Sequence, residues 1–241
     1  MVRLARVIAI DVPHHVTQRG NARRYILDRD SDRMVYLSLL REYVDLYGLS
    51  VLGYCLMSNH VHLVVIPRKA TSLALVFKQT PGRYASYWNA GHKSSGHAWQ
   101  GRFYSCPLDE SHLWTALRYA ERNPVRAGLV RAGLVEAAEQ WRWSSAGVHC
   151  GLTANDGLLE LVRWRARWDS SSWRKYLEEK DSEEELVALR QCTHTGRPLG
   201  TAEFIQAMEE TTQRCLTPRK RGRRSRTEGD KQGALVFDPD R

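Results

Sequence analysis

Leu56-Met57-Ser58-Asn59-His60-Val61-His62-Leu63-Val64-Val65-Ile66 places two histidines two residues apart inside a run of strand-forming residues. Alternate side chains of a strand share a face, so Val61, Leu63 and Val65 are expected to enter a core while His60 and His62 point together the other way. An apolar run over 50–57 precedes this strand, and Ser58-Asn59 is short enough to join the two as a hairpin. Pro67 ends the second strand, because proline cannot donate to a ladder. Two imidazoles side by side can hold one metal ion, although a His-x-His pair on a strand is also ordinary polar decoration.

Outward from the hairpin the period of the pattern alternates. A strand near 12–19 precedes a helix near 31–48, whose Leu37, Leu40, Val44 and Tyr47 share a face and which Gly48 closes. A helix near 71–90, a strand near 99–107 and a helix from Asp109 to Arg122 follow. That order predicts an α+β fold, an antiparallel sheet with packed helices of ferredoxin-like or RRM-like kind.

After about residue 150 the character changes, so that 1–150 reads as the main domain. Residues 158–177 read as one helix that interleaves arginines with Trp164, Trp168 and Trp173. Glu183 to Arg190 and Thr201 to Leu216 read as two more, joined by a glycine-containing turn. The region 151–216 is therefore expected to be a helical accessory region that binds DNA, its last two helices forming either a DNA-reading module or a plain connection. The remainder, 217–241, is basic and of low complexity, a tail expected to be disordered when free; its Arg221-Gly222-Arg223 core suits an A·T-rich minor groove.

The second motif with chemical content is Tyr119-Ala120-Glu121-Arg122-Asn123-Pro124-Val125-Arg126-Ala127-Gly128. In the helix before it, Leu113, Ala116, Leu117 and Ala120 form the buried stripe. At about 100° per residue, His112, Tyr119 and Asn123 fall on a different face, so Tyr119 is expected to be presented rather than buried. A histidine pair together with a tyrosine and an amide one turn later is equipment for cutting a nucleic-acid strand. The metal ion polarises a phosphate and the phenol attacks it, storing the phosphodiester energy as a phosphotyrosine. Another strand's hydroxyl can then reverse the step without ATP.

At these residues the chain resembles the HUH single-tyrosine transposases of insertion sequences, and most closely the REP-associated tyrosine transposases of bacteria. The resemblance runs through His14-His15-Val16-Thr17-Gln18-Arg19-Gly20-Asn21, the two-histidine strand, Gly82-Arg83-Tyr84 to Asn89, Trp99-Gln100-Gly101-Arg102-Phe103, the Tyr119 motif and Trp143-Ser144-Ser145, in that order. It implies His60 and His62 as metal ligands, Asn123 as the third, and Tyr119 as the nucleophile that forms a 5′-phosphotyrosine. Asn123 stands where related transposases often place a glutamine, and Ser58 where proline is common. The resemblance also implies Mg²⁺ or Mn²⁺ as cofactor and single-stranded DNA beside hairpins or repeats as substrate, for a monomer or homodimer. A replication-initiator nuclease of the wider HUH group and a domesticated, non-cleaving DNA-binding regulator are the alternatives.

Composition agrees with a nucleic-acid partner. The net charge is +9, of which +8 falls within residues 1–150, a basic domain suited to a polyanion. Arg19, Arg23, Arg24, Arg83, Arg102 and Arg126 are candidates for backbone contacts, and Tyr84, Tyr87 and Trp99 for stacking on unpaired bases or for core packing. No segment is long and apolar enough to span a membrane. Five cysteines without CxxC spacing suggest neither a disulfide framework nor a zinc knuckle, and point to a reducing cytoplasm.

Overall fold

Period-two alternation from Leu49 to Pro67 produces the expected hairpin, β2 (Leu49–Leu56) and β3 (His60–Pro67), preceded in the chain by β1 (His14–Arg19) and α1 (Asp30–Tyr47). The computed structural model describes residues 6–129 and 136–217. Helix α2 (Ser72–Gly91), strand β4 (Tyr104–Pro107) and helix α3 (Glu110–Glu121) complete the unit. The four strands form one antiparallel sheet in the order β2-β3-β1-β4, so the α+β, ferredoxin-like class is the observed one. Strand β4 starts later than expected, because Trp99 and Phe103 turn into the core instead of extending the ladder.

Both faces of the sheet are covered, which explains why β3 is apolar at nearly every position. On one face Val61, Leu63 and Val65 pack with Tyr36, Leu40, Tyr43 and Val44 of α1 and with Leu73, Val76 and Phe77 of α2. On the other, Val64 and Ile66 pack with Leu113, Ala116 and Leu117 of α3. Tyr84 and Trp99 belong to the first core: the Tyr84 hydroxyl donates to the Ile26 carbonyl, and Trp99 Nε1 donates to the Pro81 carbonyl at 2.9 Å. They are therefore not available as stacking surfaces.

The rest of the chain is helical: α4 (Asn123–Arg126), α5 (Ala146–His149), α6 (Val162–Arg165), α7 (Ser170–Glu178), α8 (Glu183–Thr195) and α9 (Ala202–Thr212). The single helix expected over 158–177 is two, because Asp169 caps α7 by accepting from the Ser172 amide at 2.8 Å. Helix α8 runs on to Thr195, where Gly196 takes the left-handed conformation (φ 78°) that ends it. Trp173, Leu177, Leu186 and Leu189 share the core of α3, and α8 lies along β4. Arg221, Arg223 and the tail from 218 onward lie outside the described residues. Among the described residues, no helix is long and apolar enough to cross a membrane.

Helix α3 sits very close to the sheet, and Gly53 of β2 makes that possible. A Cβ there would lie 2.2 Å from Leu117 Cδ1 and 2.8 Å from Ser145 Oγ. Two residues beyond Tyr119, the fully buried Glu121 accepts from Ser145 Oγ (2.5 Å) and Trp173 Nε1 (2.8 Å), and its Oε1 lies 2.6 Å from His149 Nδ1. Gly53→Val should therefore destabilise the fold by about 2 kcal/mol or more through overpacking, read as a fall in the urea midpoint, with Gly53→Ala less affected. An unchanged midpoint would show that α3 can lift from the sheet without cost.

Candidate active site

Paired residues of an antiparallel sheet point to the same face. Thr17 pairs with His62 and with Tyr104, and Arg19 pairs with His60, so β1, β3 and β4 present one polar surface at this end of the sheet. Helix α3 crosses it and contributes Tyr119; α4 contributes Asn123 and Arg126; α8 contributes Arg190, Thr193 and His194. These residues line a cavity of about 560 Å³.

Three of the histidines lining the cavity, His15, His60 and His62, are held neutral. Burial lowers the pKa of His15 to about 3 and that of His60 to about 4, with the Arg126 and Arg19 charges adding to the effect; His62 is pushed well below 6.5 chiefly by burial. Neutral imidazoles keep lone pairs for a cation. His60 Nδ1 lies 2.6 Å from Asn59 Oδ1, and its Nε2 lies 3.2 Å from Asn123 Oδ1. A neutral ring has one N–H for these two acceptors, so one nitrogen faces an oxygen with lone pairs on both. A cation relieves that opposition. His62 stands beside this pair, its ring centroid 5.1 Å from that of His60 and nearly perpendicular to it. Among the described residues, no cluster of three or more His, Cys, Asp or Glu is placed to hold a metal; the donors brought together here are the imidazoles of His60 and His62 and the amide oxygen of Asn123.

Tyr119 does not stand out from the surface as its helical position suggests. It is only 8% exposed, because α4, α8 and Arg126 close around it. Its ring meets His62 edge-on at 5.3 Å, and Arg126 Cζ lies 4.0 Å from its centroid. Its hydroxyl lies 3.5 Å from Arg190 Nε. Arg126 also donates to the Tyr119 carbonyl and, with Arg118 and Arg122, surrounds Asp181 at 3.3–3.4 Å. Two of these arginines reach carbonyls at the end of α7: Arg118 donates to Tyr176 and Glu179, and Arg122 to Leu177. His112, expected on the Tyr119 face, instead pairs with the cap residue Asp109 at 2.7 Å and is not part of the cavity.

Of the candidate arginines, Arg19 and Arg126 line the cavity, whereas Arg83 and Arg102 do not. Arg83 is on α2, its Nε donating to the Tyr43 hydroxyl at 3.3 Å, and Arg102 is exposed in the connection before β4. Tyr104 of β4 and His15 of β1 also line the site, as do Arg190, Thr193 and His194 of α8. Nothing in the α8 sequence marks those side chains, because only the docking of α8 on β4 brings them near.

An antiparallel sheet carrying a histidine pair, with a tyrosine helix laid across it, defines the architecture. Residues 10–123, just under half of the chain, match the family described as transposase, IS200 like. The chain is similar to a REP-associated tyrosine transposase whose structure was determined bound to a REP hairpin, at 14% identity and a TM-score of 0.49, over 67% of this chain and 90% of that one. A crystal structure described as that of a putative transposase from Deinococcus radiodurans R1 is similar at 16% identity and a TM-score of 0.36, over 50% of this chain and 97% of that one. No curated protein matches the sequence.

The buried histidines make stability depend on pH. His14, also buried, is lowered to about 4. An imidazole with a depressed folded pKa contributes fully above its unfolded value of 6.5, and that contribution is lost as pH falls from there toward the folded value. His14 and His15 should each cost roughly 2 kcal/mol at pH 5 relative to pH 7.5. Thermal unfolding across this interval checks it: the melting temperature should fall steadily below pH 6.5, and less steeply in His15→Gln. A flat profile would show that these rings protonate freely in the folded state.

Proposed function

We propose that this transposase is a metal-dependent strand transferase that cuts single-stranded DNA beside hairpin or repeat elements, with Tyr119 as nucleophile. The observation that carries the reading is that Tyr119, His60, His62 and Asn123 of one chain line a single cavity. A site complete within one chain serves a monomer or each half of a homodimer alike.

The Tyr119 oxygen forms a bond to phosphorus, the bond from phosphorus to the 3′ oxygen breaks, and the phenol proton ends on that leaving oxygen through solvent. The products are a 5′-phosphotyrosine and a free 3′ hydroxyl, and attack by another strand's 3′ hydroxyl reverses the step. His60, His62 and Asn123 would hold Mg²⁺ or Mn²⁺, which when bound supplies Lewis-acid polarisation of the phosphate. All three ligands are uncharged, so they leave the full positive charge of such an ion directed at the substrate. Arg190 steadies the phenol oxygen as negative charge develops on it, and Arg126 fixes the ring from its face. Arg19, exposed at the rim beside His60, suits a flanking phosphate. Tyr104 and His194, stacked at 5.0 Å on the cavity wall, form a platform for an unpaired base.

Helix α8 supplies part of the cavity wall, so the region 151–216 serves the reaction site as well as any wider DNA contact. The basic side chains of the tail, Arg221 and Arg223 among them, would act on association and not on the chemical step.

Two outcomes test the reading. Tyr119→Phe should retain fold and DNA affinity but form no covalent adduct with a labelled hairpin-bearing single strand, since only the attacking oxygen is lost. An adduct in that variant would assign the nucleophile elsewhere. His60→Ala and His62→Ala should each slow cleavage by about a hundredfold or more and raise the metal concentration required. Mn²⁺ should act at lower concentration than Mg²⁺, because imidazole nitrogen suits the transition ion better. Cleavage that continues in excess chelator would rule out the metal.

A further inference from the structure

Behind the proposed ligand His62 lies a chain of buried groups that passes through Thr193 of α8, outside the segment that matches the family. His62 Nδ1 is 3.0 Å from His15 Nε2, His15 Nδ1 is 2.8 Å from Thr193 Oγ1, and Thr193 Oγ1 is 3.3 Å from Cys106 Sγ. The two rings are nearly parallel, 7° apart, and His15, His62, Cys106 and Thr193 are all almost fully buried. Water has little access to these atoms, so the four groups must satisfy one another.

Each neutral imidazole carries one ring N–H, and the hydroxyl and thiol carry one hydrogen each. If every contact is to have one donor, the bonds from His62 through His15 to Thr193 can therefore run in only two directions. In the first, His62 Nδ1–H donates to His15 Nε2, His15 Nδ1–H donates to Thr193, and the Thr193 hydroxyl donates to Cys106 sulfur. His62 Nε2 then has a lone pair. In the second, every bond is reversed: the thiol donates to Thr193, Thr193 to His15 Nδ1, and His15 Nε2–H to His62 Nδ1. His62 Nε2 then carries the proton and cannot bind a cation. The two arrangements differ in no net charge, only in direction.

The geometry points to Thr193 and His15 as positioning residues that set the tautomer of His62, so that α8 determines whether this ligand offers its lone pair. The inference rests on the metal reading above. Without the Thr193 hydroxyl, His15 Nδ1 has no partner among the described residues. A buried N–H without an acceptor is costlier than a bare ring nitrogen, so His15 moves its proton to Nε2 and donates toward His62. His62 then becomes the Nε2–H form.

The test compares wild type, Thr193→Val, which removes the hydroxyl at nearly constant shape, and Thr193→Ser, which keeps it. Ring-nitrogen NMR of the metal-free proteins reports the His62 tautomer, and titration with Mn²⁺ alone reports affinity. Wild type and Thr193→Ser should show His62 protonated at Nδ1. Thr193→Val should show it at Nε2 and bind Mn²⁺ about 10- to 100-fold more weakly. If no protein binds Mn²⁺ yet the tautomer still switches in Thr193→Val, the relay stands and the metal reading falls. If His62 has the same tautomer in all three proteins, the relay is overturned whatever the metal does. Unchanged Mn²⁺ affinity in Thr193→Val overturns it equally.

Discussion

The Glu121 carboxylate, fully buried and bonded to Ser145, His149 and Trp173, is the interaction on which the arrangement of the site depends. A buried carboxylate left without partners is strongly destabilising, so α3 cannot settle until α5 and α7 are in place. Ser145 extends the constraint to the sheet, because its hydroxyl also accepts from the Tyr54 amide of β2 at 2.9 Å. Tyr119 is on the same helix, two residues before Glu121. Its position beside His62 is therefore fixed by polar bonds to three separate parts of the chain, with the close approach at Gly53 setting the depth.

The electrostatics of the site follow from burial. Imidazoles in a desolvated pocket beside arginines stay neutral, which leaves their lone pairs free of a proton and keeps positive charge off the rings. Positive charge is instead carried by guanidinium groups. Arg126 is anchored by Asp181 and faces the tyrosine ring, Arg190 reaches the phenol oxygen, and Arg19 lies at the rim. Asp181 gathers Arg118, Arg122 and Arg126, and the first two also bond carbonyls at the end of α7, where the helix dipole is negative. The accessory helices thus hold the tyrosine segment from behind while α8 closes the cavity in front.

The fold was legible wherever one local period dominated. The β2–β3 hairpin, α1, α2 and α3 follow from alternation, helical spacing and the stop at Gly48. Reading failed where a cap overrode a pattern, as at Asp169, which divides an arginine- and tryptophan-rich stretch into two helices. The histidine pair and Tyr119 could be picked out because their spacing is local. Tyr119's burial could not, since helical periodicity describes one helix and says nothing of what α4 and α8 place over its polar face. Arg190 and Thr193 were illegible for the same reason, and Arg83 looked like a DNA contact only because charge carries no address.

The most direct measurement is mass-spectrometric mapping of the covalent product formed from a hairpin-bearing single strand with Mn²⁺. A nucleotide linked through its 5′ phosphate to the Tyr119 peptide, absent when the metal is chelated, is the predicted result. A linkage through a 3′ phosphate, or an adduct on any other residue, would contradict the account.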